Sequence, residues 1–238
     1  MLDALWDFGS PDVSEQRFRE ASEDDSRDGR CRATMATQLA RALGLQSKFD
    51  EADAVLDAIE SDGGEIRARI ELERGRLLVS DGAAADAIGH FTRAVREAAS
   101  ADAPFLVVDA LHMLAIADTG REREWAEQGL AFVDRTGDRR TKRWGIALHN
   151  NLGWTLHDAS DAEAALEHFE AALACANEHG TAQQRHVARW AVGRCLRTLG
   201  RNDESLAIQR ELAEERPDDR FVHDEIAALT GTEPQAGA

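Results

Sequence analysis

Tyrosine is absent from these 238 residues, and proline and cysteine are scarce, with four and three copies. Each scarcity excludes something. With so few prolines, few β-branched runs and a predominance of Ala, Leu, Arg and Glu, long stretches are free to be helical, so an all-α fold is expected. Cys31, Cys175 and Cys195 are odd in number, scattered and without CxxC spacing. That pattern supports neither a disulfide framework nor a zinc site, and reduced, mostly buried thiols are expected instead. No run of about 18 apolar residues occurs, and the acidic start Met1-Leu2-Asp3-Ala4-Leu5-Trp6-Asp7 lacks the basic region and apolar run of a secretory leader. A cytoplasmic location follows as the expectation. Positive charge is also in deficit, with 28 Lys and Arg against 45 Asp and Glu and a formal charge of -17. Charge-driven binding to nucleic acid or to an anionic membrane is therefore disfavoured.

Motifs that carry chemistry are missing as well. There is no glycine-rich phosphate loop, no Gly-x-Ser-x-Gly elbow and no HExxH or HxxxH spacing. His112, His149 and His157 lie near Asp109 and Asp158 in sequence but not at metal-ligand spacing, and His149 falls to the side of the other two. No metal, no cofactor and no enzymatic activity are expected.

What the chain does contain is 43% hydrophobic residues, enough for a core, and a period. Taking a small residue as anchor, the positions three, twelve, sixteen and nineteen later repeat in kind. Gly153 is followed by Leu156, Ala165, Phe169 and Ala172; Gly75 by Leu78, Ala87, Phe91 and Ala94. Ala40 is followed by Leu43, Ala52, Leu56 and Ile59, and Gly193 by Leu196, Ser205, Gln209 and Leu212. A weaker copy is anchored on Ala115, with Asp118 where Leu is expected. Two antiparallel helices approach closely only where one side chain is nearly absent, so each copy reads as a helical hairpin. Punctuation agrees: Asp81-Gly82, Gly120, Ser160-Asp161 and Gly200 fall inside the copies, while Gly63-Gly64, Pro104, Gly137, Gly180 and Pro217 fall between them. Residues 1–9 are expected to be irregular, with the apolar Trp6 and Phe8 folding back onto the first helices. Ser10-Pro11 is expected to open a first helix, Ser26 to cap the next, and Ser160-Asp161-Ala162-Glu163 to form a capping box.

Leu152-Gly153, Leu156, Ala165, Phe169 and Ala172, with Pro217 closing the last copy, resemble the tetratricopeptide repeat family from about Arg27 to Pro217. The anchors at 40, 75, 115, 153 and 193 are spaced more widely than the usual period of about 34, and the middle copy is expected to be kinked. The resemblance implies a right-handed α-solenoid of about five hairpins over residues 27–217, preceded by residues 1–26 with a short helix. A capping helix over 218–229 is expected to bury Phe221, Ile226 and Leu229, with a disordered tail at 230–238.

In such a fold the first helix of each hairpin lines the ligand-binding face. The resemblance projects Gln38 and Arg41, then Arg69, Glu73 and Arg76, then His112 and Met113 onto that face. It adds Asn150, Asn151, Trp154, His157 and Asp158, and finally Trp190, Arg194 and Arg197. Amides match a peptide bond, indoles offer flat apolar surface, and guanidinium forks suit a carboxylate. Of the positions that a co-chaperone member would use to clamp a carboxylate, only Asn151 fits.

The expected function is a non-catalytic interaction scaffold binding a peptide or protein segment through Arg76, His112, Asn150, Asn151, Trp154, Trp190 and Arg194. Alternatives from other classes are a peptide-sensing regulator and a module that assembles into a homo-oligomer, the latter through exposed end faces or through Trp125 and Trp144 on the convex face.

Overall fold

The computed structural model describes residues 2–60 and 63–231, and among these the chain is all helical, with no strand. A short 3-10 turn, Leu2–Ala4, precedes α1 (Pro11–Glu23). The hairpins follow as α2 (Gly29–Gly44) with α3 (Phe49–Asp57), α4 (Gly64–Ser80) with α5 (Ala84–Ser100), and α6 (Pro104–Ala117) with α7 (Glu122–Arg135). Next come α8 (Arg139–Lys142) leading into α9 (Trp144–Asp158) with α10 (Ala162–His179), α11 (Ala182–Thr198) with α12 (Asn202–Glu215), and a final α13 (Arg220–Thr230). The chain divides into two compact units, Met1–Gly129 and Leu130–Ala238. In the first, α2, α4 and α6 pack side by side; in the second, α9, α11 and α13 do. Each set of first helices forms one layer of its unit.

The repeating anchors are explained by what faces them. A Cβ on Gly153 would lie 2.6 Å from Cε1 of Phe169, which is fully buried. Gly75 has the same relation to the fully buried ring of Phe91. At Gly193 the facing group is the amide of Gln209, 2.6 Å away. The residue sixteen after each anchor therefore fills the space that the anchor leaves, and the hairpin closes around that contact.

The leucine three residues after each anchor serves twice. Its side chain joins the packing, and its carbonyl receives the amide that closes the turn: Lys48 to Leu43 (3.1 Å), Ala83 to Leu78 (2.8 Å), Asp161 to Leu156 (2.9 Å) and Arg201 to Leu196 (3.0 Å). This helix-ending motif places one residue in the left-handed region. That residue is Ser47 (φ 60°), Gly82 (φ 84°), Ser160 (φ 65°) or Gly200 (φ 74°), always seven after the anchor.

The third hairpin departs from the scheme. Its left-handed residue, Gly120 (φ 92°), comes five positions after Ala115, and α6 ends at Ala117. Asp118, standing where the other copies have leucine, instead accepts from Trp125 Nε1 at 2.8 Å and pairs with Arg121 at 3.3 Å. The irregularity of this copy is thus a shortened first helix with a polar stop.

Several local expectations shift by a residue or two. Asp28, not Ser26, caps α2 by accepting from Cys31 N (2.8 Å). Asp161 caps α10, because Ser160 is taken up by the left-handed turn, and the capping box lies at Thr181 and Gln184 instead. Ser10 precedes Pro11 at the first turn of α1 but makes no side-chain cap. At the C-terminal end, α13 runs through Thr230 to a left-handed Gly231, and the rest of the expected tail, 232–238, lies outside the described residues. Val222 is the residue that α13 buries completely, whereas Phe221 is 57% exposed, contrary to the expected burial.

Candidate binding faces

On the first unit, the face of α2, α4 and α6 is dominated by charge that is already matched. Arg76 donates to Glu73 at 2.5 Å and also to Asp109, tying α4 to α6. The three side chains are 12%, 2% and 5% exposed. Burial opposes the charge on Arg76, but Asp109 and Glu73 outweigh it and hold the guanidinium above its ordinary range. Beside them, burial, opposed by Asp109, pushes the pKa of the His112 imidazole down. Arg69 is paired with Glu65 at 3.0 Å. Of the projected arginines, Arg41 alone forms no salt bridge among the described residues, although Glu73 and Asp109 lie near enough to favour its charge. Its guanidinium lies 5.5 Å from the Trp6 ring and 5.9 Å from the Phe8 ring, and proximity to Arg76 followed by burial lowers its basicity. Gln38, also projected onto this face, accepts from Trp6 Nε1 at 3.1 Å. The segment before α1 thus covers α2.

On the second unit the face is aromatic and open. Trp154, on α9 one residue after its anchor, packs against Phe169 with centroids 4.8 Å apart. Trp190 on α11 follows at 6.0 Å, and Phe221 on α13 stands edge to face with Trp190 at 6.3 Å. Trp190 Nε1 donates to the Phe221 carbonyl (3.2 Å), which fixes the indole's orientation. Beside this row lies a cavity of about 750 Å³ walled by Val187, Trp190, Pro217 and Phe221, with Arg216 and Arg220 also lining it. Val187 is 44% exposed. One wall is supported from beneath by His186, whose Nε2 meets Asp219 Oδ2 at 2.8 Å; Asp219 also accepts from Phe221 N at 3.0 Å to cap α13. Although burial acts to raise the Asp219 pKa, these hydrogen bonds outweigh it and lower it. Arg194 shares Glu225 with Arg197, at 3.2 and 2.7 Å. Asn150 has a partly exposed side chain that makes no hydrogen bond among the described residues, and its neighbour Asn151 is also partly exposed.

The structure therefore brings Asn150, Asn151, Trp154, Trp190 and Arg194 onto adjacent first helices of one unit and places Arg76 and His112 in the packing of the other. Trp6 and Phe8 fold back onto α1 and α2, as expected from the sequence, whereas Phe221 was missed as a face residue. The doublet Phe221-Val222 offers two apolar candidates for one inward position, and α13 turns Val222 to it. His149 packs within its own hairpin against His168, Nδ1 to Nδ1 at 3.0 Å. Among the described residues, no group of three or more His, Cys, Asp or Glu side chains is placed to hold a metal ion, and no helix is long and apolar enough to cross a membrane.

Stacked antiparallel hairpins with a layer of first helices define an α-solenoid. Within that class, a tetratricopeptide repeat family model matches residues 37–104 and 150–220, more than half of the chain, and the chain belongs to that family. The span between the two matches holds most of the irregular third hairpin. Members of this family are interaction scaffolds and typically non-catalytic. The crystal structure of BtubC (BKLC) from P. vanneervenii is similar in fold, with a TM-score of 0.64 and 16% identity over 100% of this chain and 95% of that one. The APC/C hetero-tetramer Cut9-Hcn1 aligns more loosely, with a TM-score of 0.37 and 14% identity over 96% of this chain and 48% of that one. No curated protein sequence matches.

Proposed function

We propose that this protein is a cytoplasmic, non-catalytic scaffold that holds a peptide or extended protein segment on the first-helix face of its second unit. The observation that carries the reading is the row Trp154, Trp190 and Phe221 beside an open, largely apolar cavity. Aromatic anchors held in a fixed orientation supply much of the affinity at interfaces, because they bury a large area with little loss of freedom. Asn150 and Asn151 suit the partner's backbone, since an amide both donates and accepts. Arg194, 27% exposed and sharing one carboxylate with Arg197, offers guanidinium N–H groups to a carbonyl or carboxylate of the partner. Arg76 and His112, expected from the sequence to touch the ligand, serve the packing of the first unit in this reading.

The test pairs two exposed substitutions, Val187→Ser and Phe221→Ala, with Asn150→Ala. Affinity capture from lysate followed by quantitative mass spectrometry should lose the partner recovered by the unaltered protein, with a fall of about thirtyfold in affinity once that partner is purified, the scale of one lost aromatic anchor. Unchanged recovery by a variant with intact helical circular dichroism would overturn the assignment.

A further inference from the structure

The first unit shows its own site already filled. We propose that α1 and α2 form a binding site for a short aromatic-x-aromatic segment, occupied in cis by Trp6-Asp7-Phe8 and open in trans to a peptide of the same chemistry. This is independent of the face proposed for the second unit.

The segment is recognised in three ways. Its backbone is read by Ser14, a fully buried side chain on α1: the Asp7 amide donates to Ser14 Oγ at 2.8 Å, and Ser14 Oγ donates to the Asp7 carbonyl at 2.9 Å. Both polar groups of the central residue are thereby satisfied by one hydroxyl, which donates and accepts at once. The indole is read by Gln38 on α2, itself 7% exposed, through the 3.1 Å bond from Trp6 Nε1. The two rings are read together: Trp6 and Phe8 stack at 4.7 Å with planes 1° apart, and the guanidinium of Arg41 reaches both. Phe18 closes the inner side of the indole at 5.0 Å.

The residue between the rings shapes the segment without touching the site through its side chain. The Asp7 carboxylate accepts from the amides of Gly9 and Ser10, at 3.1 and 3.2 Å, and turns the chain toward α1. The rings of Trp6 and Phe8 stack on one side of the turn that results. The chemistry recognised is an indole and a second aromatic ring, two residues apart, on a backbone free to hydrogen-bond. Exchange is feasible because Phe8 is 64% exposed and the hydrogen bonds and ring contacts that hold the segment run to α1 and α2, so it can open without global unfolding.

The experiment uses the full chain and a fluorescently labelled peptide, Met-Leu-Asp-Ala-Leu-Trp-Asp-Phe-Gly-Ser. In the unaltered protein the cis copy competes at an effective concentration on the order of millimolar. Trp6→Ala with Phe8→Ala should therefore bind the peptide about tenfold more tightly by anisotropy, and adding Gln38→Ala and Arg41→Ala should abolish that gain. A peptide with both aromatic residues changed to alanine should not bind. Equal binding by the unaltered protein and the double variant would overturn the proposal, as would a gain that survives loss of Gln38 and Arg41. If the double variant loses its helical signal, Phe8→Ala decides alone: a gain in peptide affinity supports the site, and no gain overturns it.

Discussion

Arg41, Arg76, Trp154 and Arg194 occupy the same place in their repeats, one residue after the anchor, yet they meet different surroundings in the two units. In the first unit Arg76 is sunk between two carboxylates and Arg41 lies under two rings from the segment before α1. In the second, Trp154 rests on the core with its outer edge open, and Arg194 shares Glu225 at the rim. The backbone scheme is common to both, so residue type at a few positions decides whether a face is spent on cohesion or left for a partner. A scaffold built from one repeat can thus vary what each first-helix face does without changing the backbone scheme beneath it.

The largest effect expected from that contrast comes from Arg76→Ala. It would strand Glu73 and Asp109 in the packing and destabilise the first unit by about 3–5 kcal/mol, as loss of one partner from a buried charge set does. Denaturant unfolding should register that cost, whereas Arg194→Ala, at a 27% exposed position, should cost about 1 kcal/mol or less. Similar costs for the two would erase the distinction between a cohesive and an open face.

The anchors should behave alike across the units. Gly75→Ala and Gly153→Ala each force a methyl against a fully buried phenylalanine ring. Overpacking costs about 1–3 kcal/mol, offset by about 0.5–1 kcal/mol of better helix propensity. Gly193→Ala, facing the end of the Gln209 side chain, should cost less. Thermal melts of the three variants would check the order.

Acid should separate the units. The Lys48 ammonium, chief among its partners, holds Glu15 well down, at about 2 against an ordinary 4.5, despite partial burial. A carboxylate lowered on folding contributes stability above its unfolded value and loses it as pH falls from about 4.5 toward 2. The anchoring of α1 in the first unit should weaken in that window, and Glu15→Gln should remove the dependence. In the second unit, burial and then His168 lower His149 below 6.5. Here the unfolded chain binds the proton more readily, so stability falls as pH drops below about 6.5, and His149→Gln should flatten that slope. His112 gives the first unit a dependence of the same sign, so hydrogen exchange resolved by unit is the fitting measurement.

The smallest effect on stability is expected for Phe221→Ala, within about 0.5 kcal/mol for an exposed side chain. Its effect on binding should be far larger, and that disproportion is what an open face requires.

The framework was legible because it rests on spacing within one hairpin: glycine, leucine and phenylalanine at fixed offsets leave a period in the sequence. The faces were only half legible. Asn150, Trp154 and Trp190 could be projected from the resemblance to the repeat family, but the fate of Arg76 depends on Asp109, 33 residues away on another helix. That Trp6 folds back could be read from its apolar character, but its partner Gln38 lies 32 residues on and follows no repeat. Phe221 was misplaced because Asp219, not Asp218, starts α13, and the helix presents Val222 inward.

The four matching turns have a practical consequence. Since the closing amide always returns to the leucine three after the anchor, the chain leaves and re-enters helical geometry identically at Ser47, Gly82, Ser160 and Gly200. These are equivalent splice points: cutting at one and rejoining at another preserves the joint and changes only the number of hairpins. Gene duplication or deliberate shuffling can therefore lengthen such a protein in whole modules, while an insertion out of phase with those joints would meet no ready-made closure.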